Sequence, residues 1–129
     1  MSKKVINTPN APAPIGPYSH AVQIGNLLYT SGQVALDAST GNLIMTNISA
    51  ETHQVMKNLK AILEAAGTDF SHGIKTSIFL KNMDDFSAVN EVYASYFTGN
   101  FPARETVQVA KLPRDVNVEI SMIVAVAAQ

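Results

Sequence analysis

The chain has 129 residues, 47% hydrophobic and 15% charged, enough for one globular domain that buries roughly two-thirds of its unfolded surface without a disulfide or structural metal. A net charge of -1, with 9 basic against 10 acidic residues and no lysine or arginine run, leaves no electrostatic footprint for nucleic acid or an anionic membrane. With 0 cysteines the chain has no thiol nucleophile, disulfide framework or thiolate metal site, which fits a cytoplasmic protein.

Lys3 and Lys4 precede no apolar core, so no signal peptide is expected, and no run approaches the ~20 apolar residues of a membrane helix. His20, His53 and His72 lack metal-ligand spacing and read as structural or exposed side chains, so no metal is expected. Residues 8–17 carry four prolines and read as an extended arm over the surface. Residues 21–24 and 27–31 flank Gly25-Asn26, a two-residue hairpin turn, and residues 43–45 read as a short third strand. A helix is expected from Ser49, as its cap, to Gly67, with Val55, Met56, Leu59, Ile62, Leu63 and Ala66 in one apolar stripe. Residues 74–80 alternate as a strand. A second helix opens at Asn82, with Asp84 and Asp85 where the helix dipole favours anions, and buries Phe86, Val89, Tyr93 and Phe97 before Gly99.

Two more strands, at residues 106–109 and 116–126, follow the period-two pattern and are separated by the turn Leu112-Pro113-Arg114-Asp115. The expected fold is therefore α+β: a mixed sheet of about six strands with two helices packed on one face, in a single domain over 1–129. Two helices cannot cover both faces of such a sheet. The other face is solvated or buried against another copy of the chain, and a surface poor in charge favours the latter.

Two charges stand out in this apolar β sequence. Glu119 is the only charge in a strand that is apolar or small on both faces, and it shares its face with Ser121, Ile123 and Ala125. A carboxylate there needs a partner or a purpose, because an unpaired buried charge costs several kcal/mol. It is either neutralised or a general base holding a water. Arg104 shares a strand face with Thr106 and Gln108, and its guanidinium either neutralises Glu119 or Glu105 or binds an anion. Asn90 falls on the buried stripe of the second helix, so its amide needs a backbone partner or a site to serve. Tyr18, after Gly16-Pro17, either overhangs a pocket or anchors the arm, and Ser31-Gly32 offer backbone contacts.

Pro102-Ala103-Arg104, the run from Val107 to Pro113, and Val118-Glu119-Ile120 closely resemble the signature of the Rid (YjgF-like) family, and within it the RidA reactive-intermediate deaminases. Blocks at residues 15–19, 30–33, 58–59 and 86–93 follow in family order, so the resemblance spans nearly the whole chain. It implies a chorismate-mutase-like fold and a homotrimer with sites between subunits. It also implies cofactor-free hydrolysis of 2-imino acids, such as 2-iminobutanoate and 2-iminopropanoate, to 2-keto acids and ammonia. By that pattern Arg104 binds the substrate carboxylate and Glu119 positions and activates water. Tyr18, Ser31, Gly32, Asn90 and the backbone at Thr106 line the pocket. Glu105 stands where the family usually has a small residue, Thr106 where many relatives have cysteine, and Ser121 replaces a second glutamate. These departures keep open an alternative: a non-catalytic trimeric sensor that binds keto acids and regulates a partner protein.

Overall fold

The computed structural model describes residues 2–127. Six strands form one mixed sheet in the order β1-β2-β3-β6-β4-β5: β1 (Lys4–Ile6), β2 (Ala21–Ile24), β3 (Leu27–Thr30), β4 (Gly73–Leu80), β5 (Ala103–Gln108) and β6 (Val118–Ala125). Only β4 and β5 run parallel; they are the pair separated by a helix, α2 (Phe86–Ala94), whereas the β2–β3 hairpin closes through Gly25 at φ 57°. The other helix, α1 (Ile48–Ala65), packs beside α2 on the same sheet face.

On α1, the side chains of Val55, Met56, Leu59, Ile62 and Leu63 are fully buried, each contributing about 1.5–3 kcal/mol relative to exposure. They meet Val118, Ile120, Met122 and Val124, the inward row of β6. β6 is central, bonded to β3 on one side and β4 on the other. Glu51 of α1 is also fully buried, and its carboxylate accepts from the backbone N–H and side-chain amide of Asn117, both at 2.8 Å, fixing where β6 begins.

Several local expectations need correction. Asn47, not Ser49, caps α1: its backbone is extended and its Oδ1 accepts from the Ala50 N–H at 2.8 Å, which leaves Ser49 inside the first turn. Residues 43–45 form no strand, only a single bridge between Leu43 and Leu36. The sixth strand is instead β1, whose Val5 lies opposite Val22. Asn82 caps a separate 3₁₀ turn (Met83–Asp85) ahead of a shorter α2. Strand β5 starts earlier than expected and lies at the sheet edge, with Val107 41% exposed and Arg104 and Thr106 half-buried on the side facing the helices. β6 starts at Val118, because a 3₁₀ turn (Pro113–Asp115) precedes it.

Among the described residues no helix or second sheet covers the face away from the helices. Val5, Tyr29 and Val107 on it are 48%, 44% and 41% exposed. At the β5 edge of this face Glu105 is paired with Lys75 at 2.8 Å and hydrogen-bonded by Ser77.

Candidate active site

Arg104 and Glu119 lie on opposite faces of the sheet. Arg104 pairs across the ladder with Thr76 and Glu119 with Phe79; Thr76 and Phe79 are an odd number of residues apart on β4, so they point to opposite sides. Thr76 is buried towards α2, where its hydroxyl bonds the Tyr93 hydroxyl at 2.9 Å. Arg104 is therefore on the helix side and Glu119 on the uncovered side. The open question of whether Arg104 neutralises a carboxylate is answered: Glu119 is across the sheet, and Glu105, also on the uncovered side, belongs to Lys75.

What holds Arg104 is α2. Its Nη1 donates to Asn90 Oδ1 at 2.5 Å, and its guanidinium carbon lies 5.2 Å from the Tyr93 ring centroid and 5.6 Å from that of Phe86. Cation–π contacts of this kind contribute about 0.5–1 kcal/mol at exposed sites and fix the plane of the fork without supplying an anion. Phe86, expected in the core, is 37% exposed beneath that charge. Asn90 is half-buried and serves a side chain rather than backbone. Arg104, Asn90 and Tyr93, together with Ala94, Phe101 and Pro102, line a cavity of about 390 Å³. Among the described residues no carboxylate pairs with Arg104, so the cavity presents a positioned guanidinium to an incoming anion. Two residues further along the same strand face, the Thr106 hydroxyl is buried with no hydrogen-bond partner.

A second cavity, of about 350 Å³, lies against the other face and gathers Tyr18, Ser31, Gly32 and Glu119. The segment after β3 runs beside β6 through reciprocal backbone bonds between Gln33 and Ile120, at 2.8 and 3.1 Å, and this draws Gly32 over Glu119. A Cβ on Gly32 would come within 2.8 Å of Glu119 Cδ, so only glycine leaves the carboxyl its place. Ser31 Oγ donates to the Ser19 carbonyl at 2.6 Å, and the Ile15 N–H donates to the Tyr18 hydroxyl at 3.4 Å, so the arm is tied to the cavity rim. Among the described residues Glu119 has neither a hydrogen bond nor an ion pair, and burial raises its carboxyl above the usual carboxylate range. That is the condition of a base able to accept a proton from water.

The seven candidate residues divide between the two faces of the sheet, a division the sequence reading did not give. Tyr18, Ser31, Gly32 and Glu119 meet at one cavity; Arg104 and Asn90 meet at the other, with Thr106 beside them on β5. The sequence reading missed Tyr93 as a partner of Arg104, although Tyr93 follows Asn90 by three positions on the same helix face. It also missed Val34, Leu36, Pro113 and Arg114 in the Glu119 cavity. The proline turn before β6 was the signal for Pro113 and Arg114; Val34 and Leu36, after β3, had none. No group of three or more histidine, aspartate or glutamate side chains among the described residues could hold a metal, and no described helix is long and apolar enough to cross a membrane.

Comparison with known proteins meets this geometry. The sequence model of the Endoribonuclease L-PSP family matches residues 8–126. A mouse protein named 2-iminobutanoate/2-iminopropanoate deaminase is 52% identical over 121 residues, covering 94% of this chain and 90% of its own. The crystal structure of the Escherichia coli YjgF gene product superposes with a TM-score of 0.90 at 44% identity, covering 95% of this chain and 98% of that one. RidA from an Antarctic Psychrobacter gives 0.92 at 41% identity, over 95% and 99% of the two chains. With a six-stranded mixed sheet and paired helices that match these structures across nearly their whole length, the chain belongs to the Rid (YjgF-like) family.

Proposed function

We propose that this protein is a hydrolytic deaminase of small 2-imino acids, including 2-iminobutanoate and 2-iminopropanoate, and that it works as a homotrimer with each site built from two copies. The observation that carries the reading is the split between the faces: one chain offers a guanidinium without a counter-ion and, across the sheet, a desolvated carboxyl without a partner. A single substrate can touch both only if the Arg104 edge of one copy meets the Glu119 face of another. The uncovered face, with its exposed Val5, Tyr29 and Val107, supplies apolar area for such packing.

In this mechanism Arg104, aimed by Asn90, Tyr93 and Phe86, takes the substrate carboxylate through paired charge-assisted hydrogen bonds. The protonated C=N carbon is then held towards Glu119, where Tyr18, Ser31 and Gly32 bound the space, while the backbone at Thr106, beside Arg104 on β5, completes the carboxylate pocket. Glu119 takes a proton from water as its oxygen adds to C2. The same proton passes to the nitrogen of the resulting carbinolamine; Glu119 then takes the hydroxyl proton as C=O forms and the C–N bond breaks, ammonia leaves with that proton as ammonium, and the 2-keto acid follows. Holding reactants in this geometry replaces a bimolecular encounter, and the raised carboxyl moves the base towards working pH. The chemistry asks no cofactor of the protein, and the names of the similar deaminases support the substrate class.

The test is a coupled assay in a non-nucleophilic buffer: threonine dehydratase generates 2-iminobutanoate and 2-ketobutyrate release is followed. Faster release with this protein, lost in Arg104→Ala, is the expected result. No acceleration by a folded trimer contradicts the proposal and leaves keto-acid sensing as the reading to pursue.

A further inference from the structure

Arg114 has no part in the mechanism above, yet it lines the same cavity as Glu119 and Tyr18. Its backbone is left-handed, φ 57° and ψ 21°, and so is that of Asp115 at φ 55°. Two successive non-glycine residues in this region are strained, and such strain persists only where the surroundings impose it. Here they do: Leu112 and Val116 are buried on either side, the Asp115 N–H donates to the Leu112 carbonyl at 3.0 Å, and Lys81 Nζ holds the Asp115 carboxylate at 3.1 Å. The turn is pinned so that Arg114, and not Asp115, lies at the cavity. Among the described residues Arg114 has no ion pair or hydrogen bond, while its neighbour Asp115 does.

The cavity's shape bears on what this cation is for. At about 350 Å³ it lies within the range of small-molecule sites, and the short side chain of 2-iminobutanoate would leave much of it empty. Besides Glu119 its lining includes the apolar side chains of Ile15, Val34, Leu36 and Pro113 and the exposed Arg114. Apolar walls beside an unpaired guanidinium match a side chain of methylene groups ending in a carboxylate.

We propose that Arg114 is a specificity-determining residue that admits acidic 2-imino acids, with 2-iminoglutarate as the representative, by pairing with the side-chain carboxylate while Arg104 takes the α-carboxylate. The inference rests on the deaminase reading for its reaction, which is the same hydrolysis: water adds to C=N, ammonia leaves, and no redox partner is needed.

The experiment compares kcat/KM for 2-iminoglutarate, generated by glutamate oxidase, with that for 2-iminobutanoate, in the wild type, Arg114→Gln and Arg114→Lys. The ratio of acidic to neutral substrate should fall about ten- to a hundredfold in Arg114→Gln, as for a lost charge-assisted contact, and recover in part in Arg114→Lys. An unchanged ratio overturns the proposal, as does an equal loss on both substrates with a fall in assembly mass, which would assign Arg114 to a contact between copies. Calorimetric binding of 2-oxoglutarate against 2-ketobutyrate separates this inference from the activity. If neither imine is turned over, an Arg114-dependent preference for 2-oxoglutarate still sustains the subsite, and no preference removes it.

Discussion

The two cavities are similar in size, about 390 and 350 Å³, but they treat their charges in opposite ways. The Arg104 side is built to keep a cation in place: an amide oxygen and two aromatic rings surround the guanidinium on an edge strand that one helix braces. The Glu119 side withholds such support, with half-burial on the central strand, no donor and a raised carboxyl. A binding group gains from being held ready and satisfied on all sides but one. A base gains from being left uncomfortable in its charged form, because the proton it takes then relieves that cost.

The sharpest way to break this contrast is Glu119→Gln, which keeps shape and removes the base. It should lower kcat by roughly 10²–10⁴-fold while 2-ketobutyrate binding survives, as measured by turnover and calorimetry on one preparation. The same variant tests the cost of the charge. Because Glu119 in the folded chain holds its proton to higher pH than in the unfolded chain, stability falls as pH rises from the unfolded value through the folded one. Glu119→Gln should thus melt higher than wild type at pH 7, with the difference fading as the pH drops below the ordinary carboxylate value; a constant difference would mean the carboxyl is not raised.

Gly32→Ala comes next. Its Cβ would reach 2.8 Å from Glu119 Cδ, so the carboxyl must move, and a displacement on the ångström scale costs up to about 10²-fold in kcat. Full activity in that variant would show that Glu119 need not be where the structure puts it. Arg104→Ala should lower kcat/KM by about ten- to a hundredfold, for about 1.5–3 kcal/mol of lost charged contact. Asn90→Ala should give the smallest effect, a few-fold rise in KM with kcat nearly kept, since it removes only what aims the fork. The two cavities should also part in pH dependence: the acid limb of kcat follows Glu119 and lies above the ordinary carboxylate value, and moving Arg104 should leave that limb in place.

How much of this was legible in the chain depended on whether the deciding forces were local. Alternation put Glu119 on the face opposite Val118, Ile120, Met122 and Val124, but not which face meets the helices; the burial of that apolar row against α1 decides it. Alternation also showed that Arg104 and Val107 oppose each other, but not which of them meets the helices. That is set by the parallel pairing of β5 with β4 and by the aromatic groups of α2, against the usual preference for valine inside. Strand β1 was hidden because three residues at a sheet edge carry too little pattern, and residues 43–45 look like a strand but find only one partner bridge. The Asn47 cap was one polar residue among several near the helix start, and only the extended backbone at Asn47 singles it out. The approach of Gly32 to Glu119 depends on the bridge between Gln33 and Ile120, which joins segments far apart in sequence.

The central claim is that one substrate draws on Arg104 of one copy and Glu119 of another, and subunit mixing tests it most directly. Arg104→Ala and Glu119→Gln trimers, each expected to keep about a tenth of wild-type activity or less, would be unfolded together in equal amounts, refolded and assayed with 2-iminobutanoate. Random assortment gives mixed trimers one intact site each, so about a quarter of wild-type activity should return. A mixture of confirmed hybrid trimers no more active than the two variants assayed apart would contradict the account.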